Sequence, residues 1–308
     1  MGERPMNQGI HTVRIANAPC SWGVEDPNNP DNPSWQQVLD ETQKAGYSGL
    51  ELGPYGFLPT DAVQLRDELG KRELSVCGGT IFEPLWDKQH RPYVLEKTRQ
   101  ICQLLAQVNT KYLVVIDSVN KTRSPFAGLF HQAPRLDQTD WKAMMETIGQ
   151  VSDIAWDGYG IKPVLHPHAG GYIEFADEVS RALDDLSPEK IALCLDTGHC
   201  VYAGMNPVKW LYDCRDRLDY VHFKDVNQDK LRRCVNGHIG FWEACKKGVM
   251  CPIGEGCVNY PAVHEILKKM DYNGWIVIEQ ERDPKTAGTS LDDVRKSILH
   301  LEDSGFCS

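Results

Sequence analysis

Four short apolar runs in this chain each stop at an ionisable side chain. Lys162 to His168 reads KPVLHPH, Ile191 to His199 reads IALCLDTGH, Tyr220 to Asp225 reads YVHFKD, and Trp275 to Glu281 reads WIVIEQE. A run of this kind is a strand buried on both faces, and an unpaired buried charge at its end costs several kcal/mol. The four ends recur at roughly one strand-plus-helix unit apart. They converge if the strands are neighbours in a closed parallel barrel, where His, Asp, His and Glu can hold one divalent cation.

The rest of the chain fits such a barrel. Hydrophobic periodicity predicts strands over Val13–Ala18, Gly49–Leu52, Ser75–Gly79, Tyr112–Ile116, Ile161–His166, Ala192–Asp196, Tyr220–Phe223 and Trp275–Glu279. Helices are expected over Trp35–Ala45, Thr60–Lys71, Pro92–Val108, Thr139–Trp156, Ala176–Leu186, Pro207–Asp213, Tyr260–Met270 and Asp292–Leu301. Eight strands, each followed by a helix, make a (β/α)8 TIM barrel, and 308 residues suit one such domain over the whole chain, 1–308. Gly46 and Gly158 stand where helix C-caps want glycine, and Pro59 with Asp61 marks a helix start. Two connections exceed what a turn needs, Asp117 to Gln138 and Val226 to Val258, the second with a short extra helix expected within 235–248. Long βα loops lie on the C-terminal face, where barrel enzymes do their chemistry.

Composition narrows the class. No run of about 18 apolar residues predicts a membrane span, and the start MGERPMNQGIHTVRIANAP lacks the apolar core of a secretory signal, so a cytoplasmic protein is expected. Met6 stands where N-myristoylation wants Ser or Thr. A formal net charge of −10 argues against a broad phosphate-binding surface and hence against a nucleic-acid partner. Of the eleven cysteines none forms a C-x-x-C pair, and Cys245, Cys251 and Cys257 recur at a spacing unlike a zinc site, so they read as reduced structural thiols.

At the strand ends, His166 and His168 are two apart and point to the same side of an extended strand. Asp196 and His199 flank a Gly that suits a tight strand-to-loop turn, with an N-cap Asp and a surface His as the plain alternative. His222 and Lys224 share one face, while Asp225 reads equally well as a loop anchor. Glu279 needs a metal or lysine partner. Glu51, after the second strand, is a buried base, a holder for substrate hydroxyls, or one half of a salt bridge across the mouth. Trp22, Tyr55, Phe82 and Trp242 are candidates to wall a sugar ring, each also readable as packing.

These motifs carry a resemblance. CSWGVEDPNNP (Cys20–Pro30), AGYSGLELGPYGFLPTD (Ala45–Asp61), GGTIF (Gly78–Phe82), HPHAG (His166–Gly170), LDTGH (Leu195–His199), HFKDV (His222–Val226) and PIGEGCVNY (Pro252–Tyr260) resemble the inosose dehydratase family, within the xylose-isomerase-like barrels. The resemblance implies metal ligands at Asp196, His222 and Glu279. The superfamily's fourth ligand, a Glu ending strand five, is replaced by His166, with His168 in the place of a substrate-contacting His; a shifted alignment sets Val164 there instead and leaves three ligands. Two His and two carboxylates favour Mn²⁺ or Co²⁺, with Zn²⁺ and Fe²⁺ also compatible. The implied reaction is dehydration of a cyclic polyol ketone such as 2-keto-myo-inositol. His168 or Glu279 takes the α-proton, and Lys224 or His199 serves the leaving hydroxyl. The runner-up is a ketose isomerase or epimerase; an abasic-site nuclease needs phosphate-contacting Lys and Arg around the mouth, whereas the mouth loops here mix acids and bases and the chain is acidic. Homo-oligomerisation stays open.

Overall fold

The computed structural model describes residues 13–306. Its strands are β1 (Arg14–Asn17), β2 (Gly49–Glu51), β3 (Ser75–Glu83), β4 (Tyr112–Asp117), β5 (Lys162–Leu165), β6 (Ala192–Asp196), β7 (Leu218–Phe223), β8 (Asp225–Val226), β9 (Met250–Cys251) and β10 (Trp275–Ile278). Eight of them close into a barrel in the order β1-β10-β7-β6-β5-β4-β3-β2, every pairing parallel. The apolar runs are continuous because both faces are covered: β6 and β10 are buried at every position. Inside, Ala16, Cys77, Val114, Val164, Cys194, Tyr220 and Val277 fill the lumen. Outside, the helices pack onto the strands through residues such as Leu39, Leu65, Leu105, Ile148 and Val263.

The sequence places helices Trp35–Ala45 and Pro207–Asp213 at their observed bounds. Asp61 caps its helix, accepting from the Gln64 N–H at 2.8 Å. Other boundaries move. The fourth long helix runs on to Tyr159, so Gly160 (φ 65°), not Gly158, makes the left-handed C-cap. β3 extends to Glu83. A helix at Thr197–Tyr202 begins immediately after β6, where only a turn was expected. The long connection after β7 holds two helices, Gln228–Asn236 and Phe241–Lys246, and the antiparallel pair β8–β9. Asp225 anchors it: its carboxylate accepts backbone N–H groups of Gly254 (2.9 Å), Gly256 (3.1 Å) and Val258 (3.0 Å) across the PIGEGC stretch. Among the described residues no helix is long and apolar enough to cross a membrane, and the ten cysteines there are all free.

Candidate active site

Parallel closure sets the C-terminal ends of β5, β6, β7 and β10 side by side. His166, Asp196, His222 and Glu279 each offer one ligand atom there, all within 4.8 Å of one another. Val164, the alternative to His166, lies inside the barrel between Val114 and Ala192. His222 is held from both sides: Nδ1 faces Glu279 Oε2 at 3.0 Å and Nε2 faces Glu51 Oε1 at 2.9 Å. Glu51 thus meets a candidate metal ligand, and it also accepts from Thr80 Oγ1 at 3.2 Å. Both ring nitrogens of His166 are buried without a hydrogen-bond partner. Orphans of this kind are costly, and an N/O donor set is what a borderline divalent ion takes. The residues fit a cation.

Beside the quartet lies a second group. Lys224, fully buried, stands 3.4 Å from Asp196 Oδ2, 3.2 Å from Glu279 Oε2 and 2.9 Å from His199 Nε2, and it is ion-paired with Glu281 Oε1. His168 Nε2 is 4.0 Å, and His199 Nε2 3.5 Å, from the same Glu281 oxygen. The His168 and His199 rings lie 3.9 Å apart. Gly198 is in LDTGH because Lys224 passes against it: a Cβ there would lie 2.7 Å from Lys224 Cβ and Cγ. A close approach, not a turn, needs that glycine. Asp196 is indeed an N-cap, Oδ1 accepting the His199 N–H at 2.8 Å, but His199 is buried rather than at the surface.

The electrostatics follow from four carboxylates, Glu51, Asp196, Glu279 and Glu281, set against the Lys224 ammonium and His222. For His222, burial is outweighed by Cys194, Glu279 and Glu51, which hold it well above the imidazole range. Burial opposes the charge on Lys224, yet Asp196, Glu281 and Glu279 outweigh it and hold the ammonium well above lysine's usual range. Burial likewise opposes ionisation of Asp196 and Glu279. Lys224 with the histidines overcomes it for Asp196, and His222 with Lys224 for Glu279, so both stay well below the carboxylate range. His168 is pushed well below the imidazole range by burial and then by His199, and His199 by burial and then by Lys224, so both are neutral near pH 7.

A cavity of about 260 Å³ opens over these groups, lined by Glu51, Tyr55, Thr80, Phe82, His166, His168, Glu279 and Glu281 among others. Tyr55 and Phe82 therefore sit on the wall. Trp22 does not: it is fully buried in the outer core, its indole N–H donating to Glu41 at 2.6 Å, so its loop position had suggested an exposure it lacks. Trp242 meets Phe82 edge-on at 6.2 Å. Lys224 and His199 are not on the wall but behind Glu281, which is. Glu281 is the residue that sequence reading missed.

The sequence model of the xylose isomerase-like TIM barrels matches residues 39–303. An inosose dehydratase of Geobacillus kaustophilus (strain HTA426) is 30% identical over 293 residues, 92% of each chain. The chain belongs to the inosose dehydratase family of these barrels. A second inosose dehydratase, from Salmonella typhimurium (strain LT2), is 26% identical, covering 95% of this chain and 96% of its own. Among solved structures, an IOLI protein with a bound zinc atom superposes with a TM-score of 0.73 at 14% identity, over 96% of this chain and all of that one. A D-allulose 3-epimerase from Methylomonas sp., in complex with D-allulose, gives 0.66 at 17% identity, over 96% and 98% of the two chains. Both agree with the barrel closure described above.

Proposed function

We propose that this protein is a metal-dependent hydro-lyase that removes water from a cyclic polyol ketone of the 2-keto-myo-inositol class. His166, Asp196, His222 and Glu279 would hold the divalent ion, Mn²⁺ or Co²⁺ by preference. When bound, such an ion supplies Lewis-acid polarisation of a carbonyl. The chain's own residues do the rest: they move the α-proton, protonate the departing β-hydroxyl, and present a walled pocket sized for one small ring. The setting is cytoplasmic chemistry on a soluble metabolite.

One observation favours dehydration over epimerisation. The proton-exchanging groups outside the quartet stand together, His168 Nε2 being 4.0 Å from Glu281 Oε1 with Lys224 and His199 behind. An epimerase must reach opposite faces of one carbon. With each group within about 3 Å of that carbon's proton, the pair must be roughly 6 Å apart. Neighbouring groups instead can serve two adjacent atoms on one side, which suits a syn loss of H from one carbon and OH from the next. The test is 2-keto-myo-inositol with the Mn²⁺-loaded protein. A conjugated dione should appear as growing ultraviolet absorbance, more slowly when the carbon beside the carbonyl carries deuterium. Inert ketocyclitols together with an epimerised ketose would overturn the reading.

A further inference from the structure

The wall of the cavity carries a lopsided charge. Glu25, Asp26, Glu51, Glu83, Glu279 and Glu281 bring six carboxylates to it, and among the described lining residues Lys97 is the only lysine or arginine. Lys224 lies behind Glu281 and off the wall. Lys97 comes from the helix Arg91–Gln107, which packs through Ile101 and Leu105 against Gly79 of β3. Its partner is the last residue of that strand: Nζ stands 2.7 Å from Glu83 Oε1. The other oxygen, Oε2, meets Nε2 of His90, the N-cap of the same helix, at 2.8 Å. The side chains of Glu83 and Lys97 keep 12% and 23% of their surface exposed, so the pair is set in the wall and not sealed beneath it.

The pair is held in place from both sides. The Glu83 backbone is fixed in the barrel ladder opposite Asp117, its carbonyl accepting the Ser118 N–H at 3.0 Å. Lys97 lies over the ring of Tyr93, one helical turn earlier, at 5.7 Å. A part-exposed ion pair contributes little to stability, so stability alone does not explain an ammonium on this wall. Its hydrogen-bonding capacity does. An ammonium has three hydrogens, and a carboxylate about four lone-pair sites. The contacts with each other and with His90 leave hydrogens on Nζ and lone pairs on both oxygens for a ligand.

We infer that Glu83 and Lys97 are the specificity end of the cavity: together they bind two adjacent hydroxyls of an uncharged ring and turn away rings that carry a carboxylate or phosphate. One hydroxyl donates to Glu83 and its neighbour accepts from Lys97; a vicinal diol offers both at once. Glu83 also cancels the Lys97 charge. An anionic ring therefore meets five further carboxylates on the wall and no unpaired ammonium, and like charges brought together are disfavoured. Among the described residues, neither Glu83 nor Lys97 makes a hydrogen bond or ion pair to the quartet, so the pair acts on binding and not on the reacting atoms. For the identity of the ring this rests on the dehydratase reading; for the charge selectivity it does not.

The test uses the Mn²⁺-loaded full-length protein and two variants, Glu83→Gln and Lys97→Met. With 2-keto-myo-inositol either change should raise KM about tenfold or more, as losing a hydrogen bond to a charged group does. The same changes should keep kcat within about threefold, because the lost contact is made equally before and during reaction. An unchanged KM in both variants, or a fall in kcat with KM unmoved, overturns the inference. A second arm needs no turnover: calorimetric binding of quinate, a ring polyol that carries a carboxylate. Glu83→Gln leaves Lys97 unpaired and should bind quinate at least about tenfold more tightly than the wild type, and Glu83→Gln with Lys97→Met should lose that gain. Equal quinate affinity in the wild type and Glu83→Gln refutes the charge selectivity. If the wild type is inert toward ketocyclitols, the dehydratase reading fails while quinate binding still decides what the wall admits.

Discussion

Removing the Glu51 carboxylate tests whether the cavity is organised around a cation. Glu51, read from sequence as a buried base, a holder for substrate hydroxyls or half of a salt bridge across the mouth, lines the cavity and lies 2.9 Å from His222 Nε2. With an ion in the quartet, accepting that N–H would leave the His222 Nδ1 lone pair for the ion. Carboxylates that orient a ligating histidine in this way are worth 10–100-fold in metal affinity, about 1.4–2.8 kcal/mol. Glu51→Gln keeps an acceptor of the same shape but loses the charge, so the low end applies, about tenfold. Glu51→Ala leaves the His222 N–H buried and unpaired, a further penalty of about 1–3 kcal/mol, and places the loss at roughly 100- to 1,000-fold. The assay is competition of Mn²⁺ and Zn²⁺ against a fluorescent chelator, with KM and kcat measured at saturating metal. Wild-type metal affinity in Glu51→Ala, with a raised KM alone, would refute the argument and return Glu51 to the substrate.

Other expectations follow from the same geometry. Asp196→Ala or His222→Ala should drop bound metal from about one ion per chain to near zero by elemental analysis, since each removes a quartet donor. His166→Ala should lower metal occupancy, whereas His168→Ala should keep the metal and lose turnover; the opposite pattern means that the two histidines have exchanged roles. Burial raises the Asp117 carboxyl to about 7 despite the N–H groups of Tyr172 and Leu85 that it accepts. Its folded value lies above the unfolded one, about 3.9, so its contribution is complete at low pH and lost as pH climbs toward 7. Between pH 5 and 8 the wild type should lose about 2–3 kcal/mol relative to Asp117→Asn, read by urea unfolding. A constant difference across that range would contradict the sign.

The barrel and most of its site were legible because both rest on local contrasts. A strand covered on both faces is apolar along its length, so an ionisable residue at its C-terminal end stands out; His166, Asp196, His222 and Glu279 were found that way, and the fold brings them within 4.8 Å. What failed was non-local or too short to carry a period. The helix Thr197–Tyr202 has six residues and includes Gly198, whose reason is Lys224, a neighbour through β7 rather than along the chain. Trp22 and Tyr55 both sit in loops with turn-like flanks, yet one is sealed in the core and the other lines the cavity, and nothing within a few residues separates them. Glu281 is different, because its signal was present. His166 with His168, and His222 with Lys224, pair at i and i+2 because alternate residues leaving a strand face the same way. The same rule applied to Glu279 points to Glu281, and the structure sets the second members of all three pairs together: His168 beside Glu281, and Glu281 on Lys224. The first members belong to the candidate cation site and the second members to the group proposed above to handle protons. Two successive layers of one barrel mouth would therefore carry the two halves of the proposed reaction, and the period of a β-strand separates them.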